Sequence, residues 1–159
     1  MCVQTNQMME GARVSRAADE EMLAAQTILF VEDEAFVRGV TCEVLESAGY
    51  QVLVANNALE ALRVYDARRS EVELLLTDVV LPGETGYVLA DKLRRENPDL
   101  KVLFVTGYLE QMAAMAEECL AKPFSTEMLL HRVRRLLDPG EPGMGIEGEG
   151  VFRRACENA

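Results

Sequence analysis

The sequence predicts an α/β fold: a doubly wound, five-stranded parallel sheet with helices on both faces. Three observations predict it. Short, continuous apolar runs recur along the chain at Ile28–Val31, Val52–Val54, Leu74–Leu76 and Val102–Val105, each too short for a helix. Runs of this kind suit strands buried on both faces, as parallel strands are. Stretches with helical spacing lie between them, and alternating strands and helices give a parallel sheet through right-handed crossovers.

The elements follow in order. After the first strand, Phe36, Val40, Val44 and Ala48 repeat every fourth residue and predict one face of a helix that Gly49 stops. Gly39 inside that helix costs about 1 kcal/mol relative to Ala unless close packing there requires it. Asn57 and Glu60 form a capping box for the helix after the second strand. The third strand leads through a Pro82-Gly83 turn into a helix from Gly86 to Glu96, which Asn97-Pro98 breaks. Beyond the fourth strand, a short helix from Leu109 to Glu118 precedes a brief fifth strand, Cys119–Ala121. The last helix starts after Ser125 and sets Leu129, Val133, Leu136 and Leu137 at core spacing.

Composition bounds the rest. A chain of 159 residues, 49% hydrophobic, holds one domain with a sizeable core and two tails. Residues 1–26 read as a polar leader, 27–138 as the folded domain, and 139–159 as a flexible Gly/Pro/Glu-rich tail. A net charge of −11 argues against direct nucleic-acid binding and against an anionic membrane surface. Cys2, Cys42, Cys119 and Cys156 have neither zinc nor redox spacing and fit thiols of a reducing compartment. No window approaches the ~18 apolar residues of a membrane span, so the expected location is the cytoplasm.

In doubly wound sheets, ligands bind outside the carboxyl ends of the strands, near the point where strand order reverses. The chemistry here sits at those ends. The first strand finishes in Glu32-Asp33-Glu34 and the third in Thr77-Asp78. Either acid alone reads as a cap for the following helix. If the two strands are neighbours, their carboxylates converge and repel, and a divalent cation removes the conflict. An oxygen-rich site with few carboxylates suits Mg²⁺. The fourth strand ends in Thr106-Gly107, a hydroxyl beside a permissive backbone, and the fifth in Lys122-Pro123, a cation at the rim.

Glu32-Asp33, Thr77-Asp78-Val79-Val80-Leu81-Pro82, Val105-Thr106-Gly107 and Lys122-Pro123-Phe124 together resemble the receiver domains of bacterial two-component response regulators. The resemblance spans roughly Thr27 to Leu137 and implies a flavodoxin-like fold. It implies that Asp78 accepts a phosphoryl group from a partner histidine kinase or phosphotransfer protein, and that an unidentified downstream protein reads the result. It further implies Mg²⁺ bound by Asp33, Asp78 and the Val80 carbonyl, with Glu32 acting through water. Thr106 and Lys122 would each contact a phosphoryl oxygen. Such a module is a switch and not an enzyme with an external substrate. Phosphoryl transfer depends largely on positioning and electrostatics, so these few groups suffice.

Two features depart from the family pattern. Receivers carry an aromatic residue three positions before the lysine, where this chain has Cys119, which places the usual ring-rotation output in doubt. Tyr108, two residues after Thr106, is a candidate substitute, and Thr106, Tyr108 and Cys119 are the expected switch positions. The stretch between Thr106 and Lys122 is also shorter than in the family, by about a turn and a half of helix. Met112 and Met115 within it read as core packing, and His131 beside Arg132, Arg134 and Arg135 as a solvated face. Two other functions compete. A Mg²⁺-dependent phosphohydrolase with an aspartate nucleophile would place a second acid two residues after it, where Val80 stands. A receiver-like interaction module that is not phosphorylated would have no need of all five site positions.

Overall fold

A computed structural model describes residues 26–108, 118–138 and 140. Five strands form one parallel sheet: β1 (Thr27–Val31), β2 (Gln51–Ala55), β3 (Val72–Asp78), β4 (Lys101–Thr106) and β5 (Cys119–Ala121). The described helices are α1 (Ala35–Ser47), α2 (Ala58–Arg68), α3 (Gly86–Glu96) and α4 (Thr126–Leu137). Strand order is β2-β1-β3-β4-β5, a doubly wound order that makes β1 and β3 neighbours, the condition on which their acids converge. Residues 109–117 of the expected fourth crossover helix, most of the leader, and tail residues 139 and 141–159 lie outside the described residues. Among the described residues, no helix is long and apolar enough to cross a membrane.

The continuous apolar runs split by parity, because successive side chains on a strand point to opposite faces. Leu29, Val31, Leu75, Val102 and Phe104 join the core beneath α2 and α3. Ile28, Phe30, Leu74, Leu76, Leu103 and Val105 join the core beneath α1 and α4. Both faces of β1, β3 and β4 are therefore largely buried, without polar alternation, whereas the edge strand β2 leaves Gln51 and Val54 exposed and departs from the expected two-sided burial.

Capping follows the expected chemistry. Asn57 Oδ1 accepts the Glu60 N–H at 2.8 Å, while the Glu60 carboxylate reaches back to the Asn56 N–H at 2.7 Å. Ser125 caps α4 through the Met128 N–H, and Gly49 ends α1 at φ +97°.

One expected face is corrected. In α1 the buried residues are Thr41 and Leu45, with Val44 and Ala48 packed beside them, whereas Phe36 is 76% and Val40 48% exposed. A strict four-residue repeat advances about 400° per step, so from Phe36 to Ala48 it drifts some 120° around the helix. The core stripe needs three- and four-residue steps combined, which Thr41, Val44, Leu45 and Ala48 supply. No packing requires Gly39 either, since a Cβ there would meet nothing within 4 Å.

Candidate functional site: an acidic pocket at the switch point

The chain leaves β1 toward β2 on one side and returns to β3 on the other, so a crevice opens where β1 and β3 end. Val31 pairs with Thr77 there, which brings Glu32-Asp33 beside Asp78. One carboxylate oxygen from each of Glu32, Asp33 and Asp78 lies within 4.8 Å of the others. β4 and β5 deliver the remaining groups: Thr106 pairs with Ala121, and the next residue, Lys122, closes the pocket. A cis peptide joins Lys122 to Pro123. All five sequence-predicted site residues thus meet at one rim.

The electrostatics are uneven. Lys122 Nζ donates to Asp78 Oδ2 at 2.6 Å and to Glu32 Oε2 at 3.1 Å. Burial lowers the Lys122 pKa, but these two hydrogen bonds outweigh it and leave the ammonium above its ordinary value. Glu32 is 3% exposed, and burial pushes its carboxyl up despite the lysine beside it and the Glu34 N–H at 3.2 Å. Both Glu32 oxygens are therefore occupied. Asp33 is exposed, and no donor among the described residues bonds its carboxylate. With all three acids ionised, one ammonium leaves two negative charges unmatched. That donor set of hard oxygens fits a divalent cation such as Mg²⁺.

The loop after Asp78 is held tightly. The Asp78 Oδ1 accepts the Val80 N–H at 3.1 Å, and Val80 pairs in an isolated antiparallel bridge with Thr85. Gly86 N–H donates to the Val79 carbonyl at 2.8 Å, and a Cβ on Gly86 would lie 2.2 Å from the Asp78 carbonyl oxygen. Only glycine fits at that approach. In the sequence Gly86 marks only a helix start; the signal for this second role is a glycine opening a helix eight residues after the acid. Nothing in the sequence marks Arg38, whose guanidinium donates to the Glu32 carbonyl at 2.9 Å and the Asp33 carbonyl at 3.4 Å.

At the far side of the pocket, Thr106 is buried and its hydroxyl oxygen accepts the Tyr108 N–H at 3.1 Å. Tyr108 itself is 62% exposed. Cys119 is fully buried in the core cluster that holds Phe104, and Tyr87 packs on Phe104 with ring centroids 4.8 Å apart. Burial, and secondarily the charge of Glu118, raises the Cys119 thiol, which keeps it neutral.

The sequence profile of the response regulator receiver domain matches residues 28–134. The chain belongs to the response-regulator receiver family. It is similar to the sensor kinase CckA of Brucella abortus (strain 2308), 36% identical over 132 residues, covering 79% of this chain and 14% of the kinase. It is also similar to the response regulator receiver protein CpdR of the same strain, 33% identical over 117 residues, covering 69% of this chain and 95% of CpdR. Among solved structures, response regulator TrrA from Thermotoga maritima, in complex with Mg²⁺ and BeF, superposes with a TM-score of 0.64 at 28% identity, covering 70% of this chain and 98% of TrrA. The chain therefore spans a receiver-sized protein nearly whole but only a small part of the sensor kinase. It is a receiver domain of two-component signalling, with the flavodoxin-like sheet of that family and an acidic cluster in its site.

Proposed function

We propose that Asp78 is the phosphoacceptor of this receiver. A partner histidine kinase or phosphotransfer protein presents a phosphohistidine. The Asp78 carboxylate oxygen attacks phosphorus, the P–N bond breaks, and the imidazole nitrogen keeps the electron pair and takes up a proton. The product is an aspartyl phosphate. The observation that carries this reading is the 2.6 Å contact between Lys122 Nζ and Asp78 Oδ2 inside a three-carboxylate pocket at the switch point. Lys122 there can follow charge from the carboxylate to the transferred phosphoryl group.

Asp33, Asp78 and the Val80 carbonyl are the proposed direct ligands of Mg²⁺, with Glu32 acting through water because Lys122 and the Glu34 N–H occupy its oxygens. Bound there, Mg²⁺ supplies screening of the negative charge on nucleophile and phosphoryl group. Lys122 and Thr106 contact phosphoryl oxygens. Drawing the Thr106 hydroxyl inward displaces Tyr108, whose N–H it holds. Cys119 has no ring to rotate, so the output leaves through the backbone after Thr106 and reaches a downstream protein. The chain acts as a switch in the cytoplasm and turns over only its own phosphoryl group.

Acetyl phosphate with Mg²⁺ tests this by intact mass. The expected result is one phosphoryl group on the wild-type chain and none on Asp78→Asn. Continuous release of phosphate with no phosphorylated chain detectable at steady state would favour a phosphohydrolase. No labelling, or equal labelling of the variant, would overturn the assignment.

A further inference from the structure

We infer that Arg38 is a positioning residue for the metal site, a role that rests on the Mg²⁺ reading above. Glu32 and Asp33 are both acids at the end of β1, yet they are held differently. The Glu32 side chain is fixed by Lys122 at one oxygen and by the Glu34 N–H at the other. The Asp33 carboxylate has no such partner among the described residues, so its direction is inherited from its main chain.

That main chain is tied through its N–H groups, Glu32 N–H to the Ala55 carbonyl at 3.1 Å and Glu34 N–H to the Glu32 carboxylate at 3.2 Å, which leaves the Glu32 and Asp33 carbonyls to be held from elsewhere. Glu34 caps α1 without a side-chain hydrogen bond, and α1 has no acidic residue in its first turn. Arg38, one turn into α1, folds back so that a single guanidinium nitrogen bonds the carbonyls of both Glu32 and Asp33, at 2.9 and 3.4 Å. Its own N–H is tied to the Glu34 carbonyl at 2.9 Å, so the side chain reaches back from an anchored position. Charge-assisted bonds of this kind are stronger than neutral ones, and a planar donor fixes direction as well as distance. The guanidinium thus engages both carbonyls while the Asp33 carboxylate lies within 4.8 Å of those of Asp78 and Glu32.

Arg38 also adds positive charge near the cation, which opposes Mg²⁺. The two contributions have opposite signs, and the substitutions separate them. Arg38 touches neither the reacting carboxylate nor Lys122, so its loss should act on metal affinity and much less on the transfer step.

The test is an amide-resonance titration of the full chain with MgCl₂, beside the Mg²⁺ dependence of acetyl phosphate labelling. Arg38→Ala should weaken Mg²⁺ binding about tenfold, the low end for losing an outer-shell partner. Arg38→Gln, which keeps a donor without charge, and Arg38→Lys, which keeps charge without the planar guanidinium, should both fall between alanine and wild type. Half-maximal labelling should move to higher Mg²⁺ by the same factor, with the rate at saturating Mg²⁺ within about twofold of wild type. If Arg38→Ala does not fold, the Gln and Lys variants carry the comparison. Wild-type affinity in the variants, or tighter binding by Arg38→Gln, would overturn the inference and leave the Mg²⁺ reading intact. A wild-type chain without a Mg²⁺ response would overturn both.

Discussion

The rim over β1 and β3 and the rim over β4 and β5 face one pocket but are assembled differently. At the first, Asp78 ends β3 while Glu32 and Asp33 directly follow β1, and nearby backbone meets the acids: Glu34 N–H on Glu32, Val80 N–H on Asp78, Gly86 against the Asp78 carbonyl. At the second, β5 is three residues long, and long-range ties hold it in place. Arg94 on α3 forks onto Glu118, and the Glu118 carbonyl accepts the Phe104 N–H at 2.6 Å. Lys122 then crosses to Glu32 and Asp78. The difference teaches that the acids of this site are specified by local sequence, whereas the lysine is specified by tertiary contact.

The comparison breaks most visibly at the metal ligands. If local backbone sets the acids' roles, Asp33→Ala should weaken Mg²⁺ binding by more than about 100-fold, beyond the range for an outer-shell loss. Glu32→Ala should cost about tenfold. The chain has no tryptophan, so calorimetry is the suitable probe. Equal affinities in the two variants would dissolve the distinction between direct and water-mediated ligands.

Glycine substitutions probe the same rim against a helix surface. Gly86→Ala forces a methyl group into the Asp78 carbonyl, which is backbone and cannot step aside, and should destabilise by about 1–3 kcal/mol. Gly39→Ala on α1 meets open space and should stabilise by up to about 1 kcal/mol. Urea unfolding of both variants measures the pair. A neutral Gly86→Ala would show that the loop after Asp78 is looser than its contacts imply.

This division also explains what could be read from the sequence. The parallel sheet and the five polar groups at its strand ends are legible because apolar runs and their terminal residues are consecutive in the chain, whereas the adjacency of β1 and β3 is implied only by the family resemblance. The α1 face was misread because Phe36 and Val40 continue a regular repeat past the point where the helix turns them to solvent. Arg38 was invisible for another reason: it acts on carbonyls, which no residue type marks. The packing of Tyr87, Phe104 and Cys119 depends on α3 lying over β4, and no spacing within any one segment reports it.

The lysine side of the comparison has a pH signature. Hydrogen bonds to Asp78 and Glu32 leave the folded-state pKa of Lys122 raised, so above the ordinary lysine value of about 10.4 the unfolded chain loses its proton first. The native state then binds more protons than the unfolded state, and stability falls as pH rises. The contribution is fully present below that value and lost as pH climbs through the folded pKa. Lys122→Met should lack this component, while the decline from buried Cys119 and Tyr50, whose pKa values are also raised, remains in both proteins. Identical pH profiles above pH ~10 would mean that the lysine is not held by the acids in solution.

The smallest expected effect tests whether long-range ties really position β5. Arg94 Nη2 donates to Glu118 Oε1 at 2.6 Å and Nη1 to Oε2 at 3.3 Å, while Nε reaches the Leu100 carbonyl at 3.4 Å. Both side chains are about one-third exposed, at 34% and 31%, so solvent screens the pair. The fork geometry places it at the upper end of surface ion pairs, and a double-mutant cycle with Arg94→Ala and Glu118→Ala should give a coupling of about 0.5–1 kcal/mol. The coupling should shrink in high salt, because the Debye length at 1 M is about 3 Å. Asp78 labelling should change less than about twofold, since Lys122 keeps its two carboxylate partners. A coupling near zero would mean that β5 is placed by its apolar core contacts, Cys119 and Leu120, without help from the pair. A coupling well above 1 kcal/mol, with slower labelling in the double variant, would make α3 the anchor of the lysine rim and sharpen its contrast with the acid rim.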